Sequence, residues 1–464
     1  MSNGKSTLSK LSKYAVFFGV FLIVNSASVF SQNVTIDNAE NKCLRKIGRK
    51  VSTRSLAELK KNAYNLRALD LSGRGLQYLH SDIKNFVNLE YLDLSDNRLS
   101  SLPNELKQLK KLKCIILKNN LFRSIPNLLY ELTTIEVLDL SNNDITNIQI
   151  DKLLNIHALK SLDLSGNKLR FNLSHIKNYS LEELFLDYGE LADFPIFICG
   201  LYALKKLSLR GNGFYSLPAL ISKLRNLYQL DLSDNKLSGL PGEISSLRSL
   251  MELNLSNNNL ISLPQNIGNL SKLEVLNIQK NGLTRLPESF DNLVALKELK
   301  YASNGLEHLP DVVCNLSNLE KLDISFNRLN YLQADFAVLK NLQYLIARNN
   351  KFSRFPNVVV RNIELKELDL TKNDLSYISD DIIFLQKLQK LKLDNNEIEV
   401  LPSSLSHLPE LSYLSLNYNQ LKTIPNQFKF VKSLKVLSIR KNFIQPDEMQ
   451  RIRRMILPDV IIRF

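Results

Sequence analysis

A 23-residue period limits what this chain can fold into more than any other feature. From Leu227 the sequence reads LYQLDLSDNKLSGLPGEISSLRSL and continues as MELNLSNNNLISLP. Leu227, Leu230, Leu232, Asn235, Leu237, Leu240 and Pro241 recur as Leu250, Leu253, Leu255, Asn258, Leu260, Leu263 and Pro264. The pattern L-x-x-L-x-L-x-x-N-x-L-x-x-L-P can be walked in both directions, from Leu66 to Leu434, and gives seventeen repeats. Self-similarity at such a period marks a solenoid. A length that would otherwise imply about three domains therefore reads as one.

Within each unit the alternation of Leu230 and Leu232 with Gln229, Asp231 and Ser233 describes a short strand with one buried face. One strand cannot bury its leucines alone. Stacked repeats build a parallel sheet over a continuous leucine core, with stability roughly the sum of units and neighbour interfaces. The recurring asparagine (Asn97, Asn120, Asn235, Asn258, Asn281 and their equivalents) stands where the chain must turn off the sheet. A column of buried amides there can satisfy turn backbone groups between neighbouring repeats. The I-x-x-L segment after the proline (Ile244, Leu247) suits a helical turn or an extended return on the opposite side. That side is bulkier than a strand spacing of about 4.8 Å, so the stack bends with its sheet inside.

These motifs resemble leucine-rich repeats of the 23-residue L-P class, found in Shoc2-like, plant Ras-group and many bacterial proteins. The resemblance implies an α/β leucine-rich repeat solenoid: a curved horseshoe with a parallel sheet on the concave face and short helical or extended returns on the convex face. It covers about four fifths of the chain and specifies fold far more than function.

The flanks set the expected organisation. Residues 1–31 hold a basic segment (Lys5, Lys10, Lys13), the apolar run Tyr14 to Val24, and small residues ending at Val29 and Ser31. That order describes a secretory signal peptide cleaved before Gln32, and the run is too short to span a bilayer core of about 30 Å. Residues 32–65 form an N-terminal cap, with a capping box at Ser55 and Glu58 opening a helix. Repeats occupy 66–445. In 446–464, Asp447 and Glu448 begin an amphipathic helix with Met449, Ile452 and Ile456 on one side, which closes the last layer. The formal net charge is +14, and its excess is concentrated before residue 66. Secreted, periplasmic or surface localisation is the expectation, and an integral membrane protein is not.

Cysteine placement predicts no disulfide. Cys199 and Cys314 take the same place in repeats five apart, on the order of 25 Å, beyond the roughly 7 Å a bridge allows. Cys114 falls on the open sheet face and Cys43 precedes the repeats. Register departs from the period in one region: Ile135 to Leu159 spans 24 residues, Leu159 to Leu181 spans 22, and Gly189 replaces the turn asparagine. This junction is expected to be the most irregular part of the arc.

No catalytic constellation emerges. The five histidines are scattered without metal-ligand spacing, and no phosphate-binding, zinc or dithiol motif is present. The Asp-Leu-Ser repeats place carboxylates on the sheet face as ordinary filler of the pattern. No enzyme activity, cofactor, metal or specific nucleic acid is expected. What remains is a pre-ordered recognition surface for a protein partner. Aromatic, Arg and aliphatic departures from the bland Asp, Ser and Asn are its candidate anchors. They are Phe185 and Tyr188 beside the irregular junction; Phe326, Tyr344, Ile346 and Arg348, of which Phe326, Ile346 and Arg348 are expected exposed on neighbouring strands; and Tyr413 and Tyr418. Two alternatives stand beside this: an anionic polymer or envelope glycan bound by the basic N-terminal cap, and an intracellular signalling scaffold if residues 1–31 are not a signal.

Overall fold

The structure, a computed structural model, describes residues 60–171 and 176–464. Among the described residues, eighteen three-residue strands form one parallel sheet. Each pairs with the next in sequence, from Ala68–Asp70 against Tyr91–Asp93 to Val436–Ser438 against Ile461–Arg463. The last of these belongs to the C-terminal segment. The fold is the expected leucine-rich repeat solenoid. Leu230, Leu253 and Leu276 are register partners and lie buried in one row, with Leu232, Leu255 and Ile278 in the next. Where Tyr301 takes a leucine's place, its hydroxyl donates to the Leu283 carbonyl at 2.7 Å, so the ring is buried without an orphaned polar atom.

The return segments follow from the L-P ending. Pro241 has extended backbone, and its carbonyl accepts from the Ile244 N–H at 3.1 Å to start the 3-10 turn Gly242–Ser246. Proline fixes φ and has no N–H to lose at this edge. Ile244 and Leu247 are then buried against the leucine layers. The 24-residue interval is absorbed by widening this turn to the α-helix Ile150–Leu154, and the strand ladder stays unbroken from Val137 through Ser161 to Glu183.

The asparagine column ties one repeat to the next. Asn258 Nδ2 donates to the Leu232 carbonyl of the preceding repeat and to Leu255 of its own, both at 3.0 Å. Its Oδ1 accepts from the Leu237 N–H, also at 3.0 Å. At the irregular junction the side chain is missing, and the Leu169 N–H donates instead to the Gly189 backbone carbonyl at 3.2 Å. Asn178 adds a local substitute: its Nδ2 donates to the Leu154 carbonyl at 2.8 Å, while its Oδ1 accepts from the Ser180 and Leu181 N–H groups.

Along one flank, the second position of each repeat alternates in sign through seven repeats: Arg67, Glu90, Lys113, Glu136, Lys160, Glu182, Lys205. Arg67 pairs with Glu90, and Lys205 meets Glu182 at 2.8 Å. Lys113–Glu136 and Lys160–Glu182 stand at 3.9 Å. Each exposed pair contributes at most about 1 kcal/mol. The alternation nevertheless favours sequential stacking, because a repeat set beside its second neighbour would oppose like charges.

At the C-terminal end the helix Pro446–Met455 buries Ile452, and Ile456 follows it into the core. Arg451 joins the helix to the last repeats by donating to the Ile424 carbonyl at 2.6 Å and to both Glu448 oxygens. At the other end a 3-10 turn, Lys60–Asn65, buries Ala63; the expected signal peptide, the expected capping box at Ser55 and Glu58, and Cys43 lie outside the described residues. Among the described residues no helix is long and apolar enough to cross a membrane.

The expectation of no disulfide is corrected. Cys199 and Cys314 are free and buried, but Cys114 is disulfide-bonded to a residue outside the described ones. Spacing within the repeats excludes a Cys199–Cys314 bridge correctly, but says nothing about a segment that returns from outside the solenoid.

Replacing Asn258 with Ala should leave the Leu237 N–H unpaired and strip the Leu232 and Leu255 carbonyls of one of their two amide donors, lowering stability by about 2–3 kcal/mol. The adjacent exposed Asn257→Ala should cost about 1 kcal/mol. Urea unfolding of both variants checks the ratio, and equal losses would mean the buried amide is not the tie.

Candidate binding face

The backbone that leaves each strand defines the rim of the open face. Two places after the last strand leucine-type residue, all seventeen repeats hold φ between 51° and 67°. This left-handed conformation costs an ordinary residue roughly 1–2 kcal/mol, and glycine, asparagine and aspartate escape most of that. Fourteen of the seventeen places carry Gly, Asn, Asp, Lys or Ser. The other three carry Tyr188, Phe326 and Tyr418, each about half exposed.

These three aromatics share a second property. The residue 22 positions on is Arg210, Arg348 and Arg440 in turn, and no other repeat has arginine at that place. Each aromatic N–H donates to the carbonyl of its arginine, at 2.7–2.8 Å. The Arg210 guanidinium stands 5.6 Å from the Tyr188 ring centroid, and Arg348 5.9 Å from Phe326. Cation–π contact of this kind contributes about 0.5–1 kcal/mol at exposed sites, enough to offset part of the backbone strain.

The pairs are not equivalent. Tyr188 lies over Gly211, where an added Cβ would fall 2.3 Å from the ring, and Arg210 Nε donates to Asp234 at 2.6 Å. That pair is already engaged within the fold. Arg348 Nε is buried and makes no hydrogen bond, while Phe326 beside it is 49% exposed.

The sequence-predicted residues are distributed as follows. Phe326 and Arg348 are brought together. Tyr344 lies on the strand Tyr344–Ile346 of the same repeat as Arg348, half-buried, with Lys321 Nζ 5.6 Å from its ring. The expected exposure of Ile346 is corrected: it points to the open face but is only 6% exposed, held between its register partners Asp323 and Asp369. Phe326 and Arg348 are likewise in the turns after the strands rather than on them. Phe185 is buried, whereas Tyr188, three residues on, is exposed; Tyr413 is half-buried and Tyr418 exposed. Sequence reading missed Arg210 and Arg440, although the 22-residue offset from each rim aromatic was available to find them.

Around Tyr344 the sheet face is charged but paired: Lys300–Glu298 at 3.1 Å, Lys321–Glu298 at 3.7 Å and Lys392–Glu367 at 2.6 Å. Toward the N-terminal end the face is acidic. Asp139 and Asp163 are register partners, and each accepts from the backbone N–H of the serine two residues on. These carboxylates thus hold their own turns. Burial, and then the neighbouring Asp139 charge, pushes the Asp163 carboxyl up to about 7. Burial outweighs the Ser208 hydrogen bond to lift Asp187 to about 6. Among the described residues no group of His, Cys, Asp and Glu is placed to hold a metal ion.

Comparison with known proteins agrees with this architecture. The leucine-rich repeat region family matches residues 195–279 and 253–345, and related leucine-rich repeat families match 363–421, 88–109 and 131–148. A leucine-rich repeat protein of Leptospira interrogans is 32% identical, with a TM-score of 0.74 over 89% of this chain and 99% of that one. The chain belongs to the leucine-rich repeat family, of bacterial type. A plant peptide hormone receptor, solved in complex with its peptide, is 29% identical with a TM-score of 0.61, over 82% of this chain and 64% of the receptor. The Toll receptor of Drosophila, at 22% identity and a TM-score of 0.65 over 85% of this chain and 57% of that one, shares the fold. No curated protein matches the chain.

The raised carboxylates give a signed pH dependence. A carboxyl near 7 when folded and about 3.9 when unfolded releases its proton from the unfolded chain first as pH rises, so the fold loses stability between about pH 4 and 7. Asp163→Asn removes that loss. Compared with the wild type, the variant should gain urea resistance progressively from pH 4 to pH 8, and a constant difference across that range would refute the assignment.

Proposed function

We propose that this chain is an exported, non-enzymatic binding protein that docks a protein partner on its concave face, anchored at Phe326 and Arg348 with Tyr344 alongside. The observation that carries the proposal is the Phe326–Arg348 pair. A bulky aromatic held in a left-handed backbone and half exposed costs stability, and strain of this kind concentrates where a surface is used. Arg348 beside it is half-buried and its guanidinium makes no hydrogen bond or ion pair among the described residues, so its outward N–H groups can meet an acceptor on a partner. Aromatic and arginine side chains in such settings dominate binding energy. The peptide carried by the plant receptor of similar fold supports a polypeptide ligand. Export is supported by the basic, apolar and small-residue order of residues 1–31 and by the Cys114 disulfide, a bond that persists in oxidising compartments.

Proteins retained from an extract by the immobilised mature chain can be identified and titrated against variants. Phe326→Ala and Arg348→Ala should each weaken the recovered partner about tenfold or more, or ~1.4 kcal/mol. Phe384→Ala, exposed on the return side, should leave affinity unchanged. Binding that collapses with salt and ignores both rim variants would favour an anionic polymer on the basic cap instead. Sequencing the mature N-terminus should begin at Gln32; an intact Met1 start would end the export reading.

A further inference from the structure

On the flank just before the strands, charge alternates from repeat to repeat and pairs, as in Arg67 with Glu90 and Lys205 with Glu182. On the opposite flank, where the chain descends from the rim, it segregates. In the repeats that begin at Leu319 and Leu342, the descending stretches 325–331 and 348–354 hold Arg328, Arg348, Lys351 and Arg354 and no acid. Two repeats after Leu342, the stretch 394–400 holds Asp394, Glu397 and Glu399 and no Lys or Arg. The stretch between them, 371–377, has one of each sign, Lys372 and Asp374. Asp394 accepts from Ser415 and Asn417; the other eight make no ion pair or side-chain hydrogen bond among the described residues. The backbone fixes their order. The N–H groups of Arg328, Lys351, Asp374 and Glu397 each donate to a carbonyl of the preceding repeat at 2.7–3.0 Å, so two cations and then two acids stand in line. Neighbours in that line are about 5 Å apart. Tyr331 and Tyr377 take the place of Arg354 in the repeats before and after it, and with Phe326 each is about half exposed.

Like charges set side by side without partners repel one another in the folded chain. Alternation removes that repulsion on the first flank and is absent here. Segregated, unpaired charge beside exposed aromatics is the surface of a molecule that meets a complementary one. We propose that the partner docked at Phe326 and Arg348 is a polypeptide that continues over this rim, setting carboxylates against Arg348, Lys351 and Arg354 and a Lys or Arg side chain against Glu397 and Glu399, about 10 Å further along. This deepens the docking reading and rests on it. The change of sign selects the class of ligand. A nucleic acid or an acidic glycan carries one sign along its length, so a chain running along the repeats from the cations is driven onto three acids. A polypeptide can change sign within about three extended residues. Arginine meets a carboxylate through two parallel hydrogen bonds, and Tyr331 and Tyr377 on either side of Arg354 give that contact an apolar border.

Fluorescent probes titrated against the full chain test the sign pattern directly. A peptide of three glutamates, two glycines and two lysines should bind saturably, and more tightly than an all-glutamate peptide of the same length. Lys351→Glu with Arg354→Glu should weaken the mixed peptide about tenfold. Glu397→Lys with Glu399→Lys should weaken it as well, yet tighten the all-glutamate peptide several-fold, a gain that misfolding cannot produce. No saturable binding of the mixed peptide, or its indifference to both double variants, would overturn the inference. So would oligothymidylate or dextran sulfate that binds more tightly than either peptide and weakens with Lys351→Glu and Arg354→Glu, because the patch would then be a polyanion site. The same variants separate this inference from the docking reading. A recovered partner that weakens with Phe326→Ala but ignores both double variants would overturn the inference and leave the docking reading standing. Peptides that behave as expected, beside a recovered partner indifferent to Phe326→Ala and Arg348→Ala, would keep the charge-patterned rim and end the docking reading.

Discussion

The structure depends on one turn amide in fifteen of its seventeen repeats. Parallel three-residue strands leave most of their backbone polar groups to turns, and a turn packed between leucine layers has no water to satisfy it. Asn258, bonding Leu232, Leu255 and Leu237 at once, converts three such debts on two repeats into one closed unit. Leucine packing supplies most of the free energy, but leucines alone would not hold consecutive turns in one register. The amide column does, which is why the chain can spend so many rim positions on other purposes.

Because the backbone path is fixed by that column, every repeat passes through the same left-handed residue whether or not its side chain suits it. Gly, Asn and Asp are the inexpensive solutions. An aromatic at this place is tolerated only because neighbouring layers over-determine the turn. The arginine 22 residues on can then lay its guanidinium on the ring. At Tyr188 this arrangement is closed off by Gly211 and Asp234. At Phe326 it is left open, so the same local device yields a structural brace in one repeat and an unsatisfied surface in another.

The fold was legible because its determinants are periodic: Leu230, Leu253 and Leu276 predict one another, and the register partners follow. The site was legible only where a residue departs from the period. Phe326, Tyr344 and Arg348 could be named from sequence, since they interrupt a bland row. Ile346 was misjudged because exposure depends on what flanks a side chain across the sheet, here Asp323 and Asp369, not on its own parity along the strand. Cys114 was misjudged because parity places it on the open face correctly, while spacing within the repeats says nothing about a cysteine outside them. The 24- and 22-residue intervals predicted irregularity, yet the strands stay in register, because the extra residue enters a return turn where length is unconstrained by hydrogen bonding to neighbours.

A solenoid face is a one-dimensional array, so its binding properties are set by contrast between neighbouring repeats. At the N-terminal end the contrast is between apolar residues such as Tyr91 and Val137 and a row of carboxylates that burial has made harder to ionise. Such a surface is costly to leave in water on one count and to desolvate on the other. Toward the C-terminal end, Lys392 pairs with Glu367 and Lys300 with Glu298 on the same face. Recognition there draws on shape, and Phe326 is exposed beside an Arg348 guanidinium that makes no ion pair among the described residues.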